Sequence, residues 1–265
     1  MHVDRATPTG DPLASVAMAA PLSDVIAYLD ELLTPERFDD YGPNGLQVPG
    51  QRDVGTVVTG VSAHGELFDA AIAHRADLVL VHHGLFWKGQ PLQITAAMHL
   101  RLSKLFAHGI ALAAYHLPLD AHPEHGNNVL LGAAIGLSDL QPLADVGAWG
   151  WLPTAEPLDA LVTRVRDATG GREPLVIEGD GTIERVGIVT GAGTDYIADA
   201  LRLRCDAFVT GEPSERAYGI AKDDRIHYLA AGHHATETFG VRRLGDLLAE
   251  AFGVTHHFVD IANPI

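Results

Sequence analysis

From Pro21 onward the chain alternates short apolar runs with amphipathic stretches. "PLSDVIAYLDELL" sets Val25, Ile26, Leu29, Leu32 and Leu33 at helical spacing, with Ser23 placed to cap the start. The next stretch, "YGPNGLQVPG", is rich in turn formers and predicts irregular chain. Then "GTVVTGVSA" reads as β, "GELFDAAIAHRA" as helix and "DLVLVHH" as a buried strand. The helix "AAMHLRLSKLFAHG" leads into the strand "IALAAYHLPLD". Strands alternating with helices of this length predict βαβ units and a parallel-rich sheet.

The second half repeats this grammar. "ERVGIVTGAG" is a strand with a glycine turn, "TDYIADALRLRC" a helix and "DAFVTGEPSE" a strand with a polar end. "RIHYLAAGHHATE" is another such strand, followed by the helix "TFGVRRLGDLLAEAFG" and the strand "VTHHFVDIA". "ADLVLVHHG" matches "CDAFVTGEP" in position, and "IALAAYHLPLD" matches "IHYLAAGHHATE". The expected fold is therefore α/β, two similar lobes from an internal duplication. Residues 21–140 form the first lobe, together with part of the C-terminal segment, and residues 141–265 form a connection and the second lobe. The proline-bearing residues 140–180 are expected to be the connection. Residues 1–20 read as a disordered leader, since Asp4 and Asp11 stand where a signal peptide has a basic start.

Composition narrows the function. A hydrophobic content of 47% with 20% charged residues is that of a soluble globular protein. Acidic residues outnumber basic ones 34 to 18, and a net charge of −16 argues against a nucleic-acid binder, which needs a basic face. No stretch approaches the ~20 apolar residues of a membrane span. The single Cys205 excludes an intrachain disulfide and fits a reducing cytoplasm.

The candidate chemistry sits at strand ends, where open α/β sheets bind ligands. Four of them carry polar residues: His82–His83, His116 to Asp120, Gly211–Glu212, and His233–His234 to Glu237. Imidazole and carboxylate together suit Zn, Fe, Mn or Ni. His233 and Glu237 are four residues apart and share a face if a helix starts there. Asp120 is a short carboxylate after a strand, able to bridge two ions. Two adjacent histidines at a strand end make sense if each serves a different ion. Taken singly, a strand-end histidine is more often packed or solvated. His256–His257 serve as an internal control: without a nearby carboxylate they read as surface, as do His64, His74, His99 and His108. "TGAGTD" lacks the spacing of a phosphate loop and reads as a tight turn. Nothing marks Cys205 as a nucleophile. The asparagines of "GNN" at 126–128 read as helix caps, or as substrate contacts at that helix start.

"HHGLFWKG", "YHLPLDAHPEHGNN", "DAFVTGEPSE" and "AAGHHATE", in this order, resemble the Nif-three-like dinuclear metal-centre family. Its members often carry the name GTP cyclohydrolase I type 2 homologue. The resemblance runs from about Pro21 to the C-terminal "FVDIANP" and is nearest the short bacterial form. It implies two divalent ions held by His82, His83, Asp120, His233 and Glu237, with two lobes facing each other across the site. It also implies a toroidal homohexamer. His125 stands where the family pattern leads one to expect an apolar residue.

Open coordination positions on two ions point to hydrolysis, with an activated water as nucleophile. His234 and Glu212 are then candidates for proton transfer or for hydrogen bonds that support a ligand. The substrate is a small molecule, with GTP suggested by the family name. The rival expectation is a non-enzymatic metal-binding or scaffold protein, since fold does not fix function.

Overall fold

The computed structural model describes residues 19–50 and 53–265, and the leader expected over residues 1–20 falls almost wholly outside them. Ala20, its last residue, is buried and pairs with Val54 in an isolated bridge.

In the first half, α1 (Leu22–Leu33) precedes β1 (Gly45–Val48), β2 (Thr56–Ser62), α2 (Gly65–Ala73) and β3 (Leu78–His83). Next come α3 (Ala96–His108), β4 (Ala111–Ala114), the single turn α4 (Leu117–Asp120) and α5 (Asn127–Ala134). The second half holds β5 (Ser138–Leu143), β6 (Gly147–Glu156), α6 (Leu158–Ala168), β7 (Leu175–Ile177), β8 (Ile183–Val189) and α7 (Ile197–Arg202). It ends with β9 (Ala207–Thr210), α8 (Glu215–Asp223), β10 (His227–Ala230), α9 (His233–Thr236), α10 (Thr238–Phe252) and β11 (Thr255–Phe258).

These strands form two mixed sheets, ordered β1-β4-β3-β2-β11 and β5-β6-β8-β9-β10-β7. In the first, β2, β3 and β4 run parallel, with β1 antiparallel beside β4. In the second, β8, β9 and β10 run parallel, with β7 antiparallel beside β10. Four strands are thus wired alike in each sheet, and β3 corresponds to β9 as the sequence comparison expects.

The unbroken apolar run of β3 follows from burial on both faces. Leu78 and Leu80 enter one core with Leu29 and Leu244, whereas Val79 and Val81 enter another with Phe68 and Leu105. Helix α10 is encoded after the second sheet, yet its Val241, Leu244 and Leu248 cover the first. A second pair of cores flanks the other sheet, with Val209 on one side and Phe208 on the other.

Four local expectations change. Helix α1 is capped by Pro21, and the Ser23 hydroxyl reaches only its neighbour Asp24. The turn-rich "YGPNGLQVPG" contains β1, which its pairing with β4 stabilises despite weak local propensity. Residues 140–180 are no connection: they complete β5 and supply β6, α6 and β7 of the second sheet. Pro142 is tolerated because β5 is an edge strand. Asp120 closes α4 instead of following a strand directly. No helix among the described residues is long and apolar enough to cross a membrane.

Candidate metal centre

The ends of the two parallel strand sets meet at one cluster of imidazoles and carboxylates. His82 and His83 are the last two residues of β3. His116 and Asp120 flank α4, just past β4. From the other sheet, α9 opens with His233, and Glu237 stands at its junction with α10. Their ligand atoms form three overlapping groups within 4.8 Å: His82–His83–His116, His83–His233–Glu237, and His82–Asp120–Glu237. The structure therefore brings together all five residues expected as ligands.

The two oxygens of Glu237 face different partners. Oε1 lies 3.5 Å from His82 Nε2, whereas Oε2 lies 3.2 Å from His83 Nε2 and 3.1 Å from His233 Nε2. The last contact is the i, i+4 pair expected from the sequence. Asp120 joins one group only. Its Oδ2 is 3.5 Å from His82 Nε2, while Oδ1 accepts from Asn127 Nδ2 at 2.8 Å and from Thr190 Oγ1 at 3.4 Å. The carboxylate that spans the cluster is Glu237, not Asp120 as its place in the chain suggested.

Each ring is anchored at Nδ1, which leaves Nε2 for the shared space. His82 Nδ1 lies 3.0 Å from the Tyr115 carbonyl, and His83 Nδ1 lies 3.0 Å from Ser62 Oγ. His116 Nδ1 lies 2.6 Å from Asp40, and His233 Nδ1 lies 2.6 Å from Glu212. Outer hydrogen bonds of this kind fix the ring orientation of metal-binding histidines. His83 and His233 meet Nε2 to Nε2 at 3.4 Å, an approach that suits two lone pairs aimed at one cation. Fully buried His82 Nε2 and Glu237 Oε2 have no hydrogen-bond partner. An unsatisfied buried polar atom costs about 1–3 kcal/mol, so the donor set fits divalent ions of the zinc, iron, manganese or nickel type.

The electrostatics agree. Burial works to lower the pKa of His82, but the Asp120 and Glu237 carboxylates raise it to about 9. For His233, burial again lowers it, and Glu237 and then Glu212 lift it to about 9. His83, buried beside three other imidazoles, falls to about 3. Burial pushes Asp120 up, whereas Glu237 is held well below the carboxylate range by His83 and His82 in spite of its burial. The pocket draws positive charge inward, which divalent cations supply without any proton.

Residues 20–264 match the model of the family described as Duf34/NIF3 (NGG1p interacting factor 3). The chain belongs to the Duf34/NIF3 family. A protein of Allochromatium vinosum named GTP cyclohydrolase 1 type 2 homolog is 44% identical over 251 residues, covering 94% of this chain and 99% of its own. A Pseudomonas aeruginosa protein of the same name is 43% identical over 254 residues, covering 93% and 100%. Among solved structures, protein ybgI, of unknown function, is 40% identical with a TM-score of 0.89, covering 92% of this chain and all of its own. TTHA1606 from Thermus thermophilus is 38% identical with a TM-score of 0.86, covering 92% and 99%.

Within this Duf34/NIF3 fold, several side chains depart from the sequence reading. His234 is not in the cluster: its Nε2 lies 2.8 Å from Asp260, and it lines a separate cavity. Adjacent residues at the start of a helical turn diverge, so only His233 faces inward. Glu212 stays outside the ligand groups but bonds to one of their members, as a supporting residue would. His116 and Asp40 were missed as site residues. His116 lay inside a noted strand end, but Asp40 sits in turn-rich chain where no spacing marks it. Asn127 and Asn128 neither cap a helix nor meet the rim; both are buried in the first turn of α5, whose N-cap is Gly126. Asn127 bridges Asp120 to the Gly240 backbone at 2.8 and 2.7 Å. Asn128 joins the Asp120 carbonyl to the Thr190 amide at 3.1 and 2.8 Å.

"TGAG" is the tight turn expected, and it also walls the cluster. Gly191 has φ +62°, and a Cβ there would lie 2.2 Å from Glu237 Oε1, so a side chain would be both strained and obstructed. Burial raises the Cys205 thiol to about 12, which agrees with its reading as unreactive. His64 and His74 are not simply solvated: His64 is half-buried at a cavity, and His74 stacks on His257 at 4.3 Å. His256, expected at the surface without a carboxylate, bonds to Asp246 and Thr59 at 3.0 and 2.8 Å. His125 stacks on His122 at 4.8 Å, which accounts for an imidazole at that position.

Proposed function

We propose that this Duf34/NIF3 protein binds two divalent transition-metal ions per chain and is a metal-dependent hydrolase. His82, His83, Asp120, His233 and Glu237 would hold the ions, with Glu237 contributing to both positions. The observation that carries this reading is the convergence of rings anchored from behind on two buried atoms without a hydrogen bond, His82 Nε2 and Glu237 Oε2, with imidazole nitrogens and carboxylate oxygens 3.1–3.5 Å apart. Divalent ions held there would polarise a substrate and lower the pKa of a water toward neutrality.

The chain's own residues supply the rest. Tyr115, Ser62 and Glu212 orient the three rings, and Asn127 and Thr190 aim Asp120. His116, backed by Asp40, is placed to hold or move a proton at Nε2 beside His82 and His83. His234 faces Asp260 at a separate cavity, which favours His116 over it as the proton-transfer group. Burial works to raise the Asp40 carboxyl, but hydrogen bonds from His116 and Asn44 hold it low, so the anion stays behind the ring.

The relatives' name points to GTP as a substrate class. A triphosphate approaching a chain of net charge −16 would depend on the ions and on a few local cations. Leu92, Ile94, Leu100 and Phe106 are exposed along residues 92–106, which supports a homo-oligomer such as the expected ring of six. The lone cysteine supports a cytoplasmic location for this reading. The test is a screen of metal-loaded protein against nucleotides, phosphoesters and cyclic amides. Turnover should vanish with chelator and return with metal, and His116→Gln should slow it by ~10²–10⁴ with the ions retained. Full metal loading without turnover would leave a metal-binding scaffold as the reading.

A further inference from the structure

Above the cluster opens a cavity of about 430 Å³, with His83 and His233 at its base and Ser62, His64, Trp87 and Arg101 among its walls. That volume suits a small organic molecule. The walls are unlike the rest of this acidic protein. Arg101, on α3, is half-buried and has no hydrogen-bond or ion-pair partner among the described residues.

The contrast with its own helix is informative. One turn further along α3, Lys104 Nζ is satisfied by Asp69 Oδ1 at 2.6 Å and the Gly65 carbonyl at 3.2 Å. Glu66, one turn before Asp69 on α2, stays exposed and leaves Arg101 unpaired. A guanidinium offers five donors in a planar fork that matches carboxylate or phosphate oxygens. Left unpaired at the wall of a cavity, it is a ready anion site. His64 borders the same cavity; burial lowers its pKa, the Glu66 carboxylate works against that, and the charge of Arg101 adds to it, so the ring faces Arg101 as a neutral hydrogen-bonding partner.

On the remaining side stands Trp87. Its indole Nε1 donates to the Gly84 carbonyl at 3.2 Å, and the ring lies 5.7 Å from that of His83 and 5.1 Å from that of His116. A half-buried, anchored indole gives a rigid apolar platform at low entropic cost. The indole plane, the guanidinium and the imidazoles of the cluster share one space of small-molecule size.

We propose that this cavity selects a substrate made of a planar ring carrying an anionic arm, with the ring against Trp87 and the anion on Arg101 and His64. The proposal rests on the metal-centre reading only for what happens to the bound molecule, not for its recognition. Nucleoside monophosphates are the nearest common molecules of this build. The anion is read by Arg101 in the cavity wall, so recognition does not require a triphosphate bridging the cluster.

Calorimetry on full-length, metal-loaded protein tests this with three probes: guanosine 5′-monophosphate, guanosine and inorganic phosphate. Arg101→Ala should weaken the monophosphate and phosphate by roughly 10- to 100-fold and leave guanosine unchanged, the range expected when a charged hydrogen-bond partner is lost. Arg101→Lys should recover part of that loss. Trp87→Leu should weaken both ring-bearing probes and spare phosphate. Failure of the wild type to bind any probe, or identical monophosphate affinity in Arg101→Ala, would overturn the proposal. Repeating the titration on chelated protein separates the two readings. Arg101-dependent binding should survive chelation, and a wild-type chain that binds in this way yet takes up no metal on reconstitution would sink the metal-centre reading alone. Normal metal uptake with Arg101-independent binding would sink only this one.

Discussion

The chain contains two His-His pairs in strands, and the fold treats them oppositely. His82–His83 end a central strand of the first sheet, whereas His256–His257 lie in β11 at its edge. His82 has one ring nitrogen bonded, to the Tyr115 carbonyl, and the other buried without a partner. His256 has both nitrogens occupied, Nδ1 by Asp246 and Nε2 by Thr59. His257 simply stacks on His74. A carboxylate near a histidine therefore does not mark a ligand, since both pairs have one. What distinguishes the metal candidate is a ring held from behind at Nδ1 whose Nε2 is buried between two carboxylates without a hydrogen bond.

The sharpest way to break this contrast is to delete one ring from each pair. His82→Ala should lower divalent-metal affinity by more than the ~10–100-fold typical of losing an outer partner, while His256→Ala should keep wild-type metal content. Equal losses in the two variants would erase the distinction. A milder effect is expected one layer out, from Glu212→Gln and Ser62→Ala, which release His233 and His83 from their anchors. Each should weaken metal binding by about 10- to 100-fold in a competition titration. Unchanged affinity in both would mean that ring anchoring is incidental.

On the structural side, a Cβ at Gly245 would lie 2.1 Å from His256 Nε2. Gly245→Ala should cost about 1–3 kcal/mol in urea unfolding through overpacking, with metal content intact. The smallest effect concerns His257. Burial, then the neighbouring His74 and His256, lower its pKa from 6.5. Its folded value lies below its unfolded one, so it destabilises the fold as pH drops below about 6.5 and not above it. His257→Gln should flatten that acid limb by a melting-temperature change of ~1 °C, and steepening instead would reverse the assigned sign.

Much of this was legible along the chain because strand ends are local features. A β-rich run that stops in "HH" or opens into "HHATE" declares its polar end without knowledge of the fold, and five residues from three such ends do meet. The turn that brings His233 over Glu237 is also local. What stayed hidden depends on contacts across long sequence separations. Asp40 becomes part of the site only because β1 pairs with β4, which sets the preceding loop beside His116. Asn127 and Asn128 read as caps because their partners, Gly240 and Thr190, come from distant elements. The same holds for residues 140–180, whose prolines signal a linker until the pairing of β5, β6 and β7 in the second sheet is known. His234 is the converse case: adjacency to His233 suggested a shared role, and the turn separates them.

The central claim is that Glu237 serves two ion positions and Asp120 one. Elemental analysis of protein purified without chelator and then reconstituted with zinc, iron or manganese tests it directly. The account predicts about two ions per wild-type chain, about one in Asp120→Ala and almost none in Glu237→Ala, with each variant's circular dichroism unchanged. A wild-type chain that takes up almost no metal, or a Glu237→Ala chain that keeps its full complement, would contradict it.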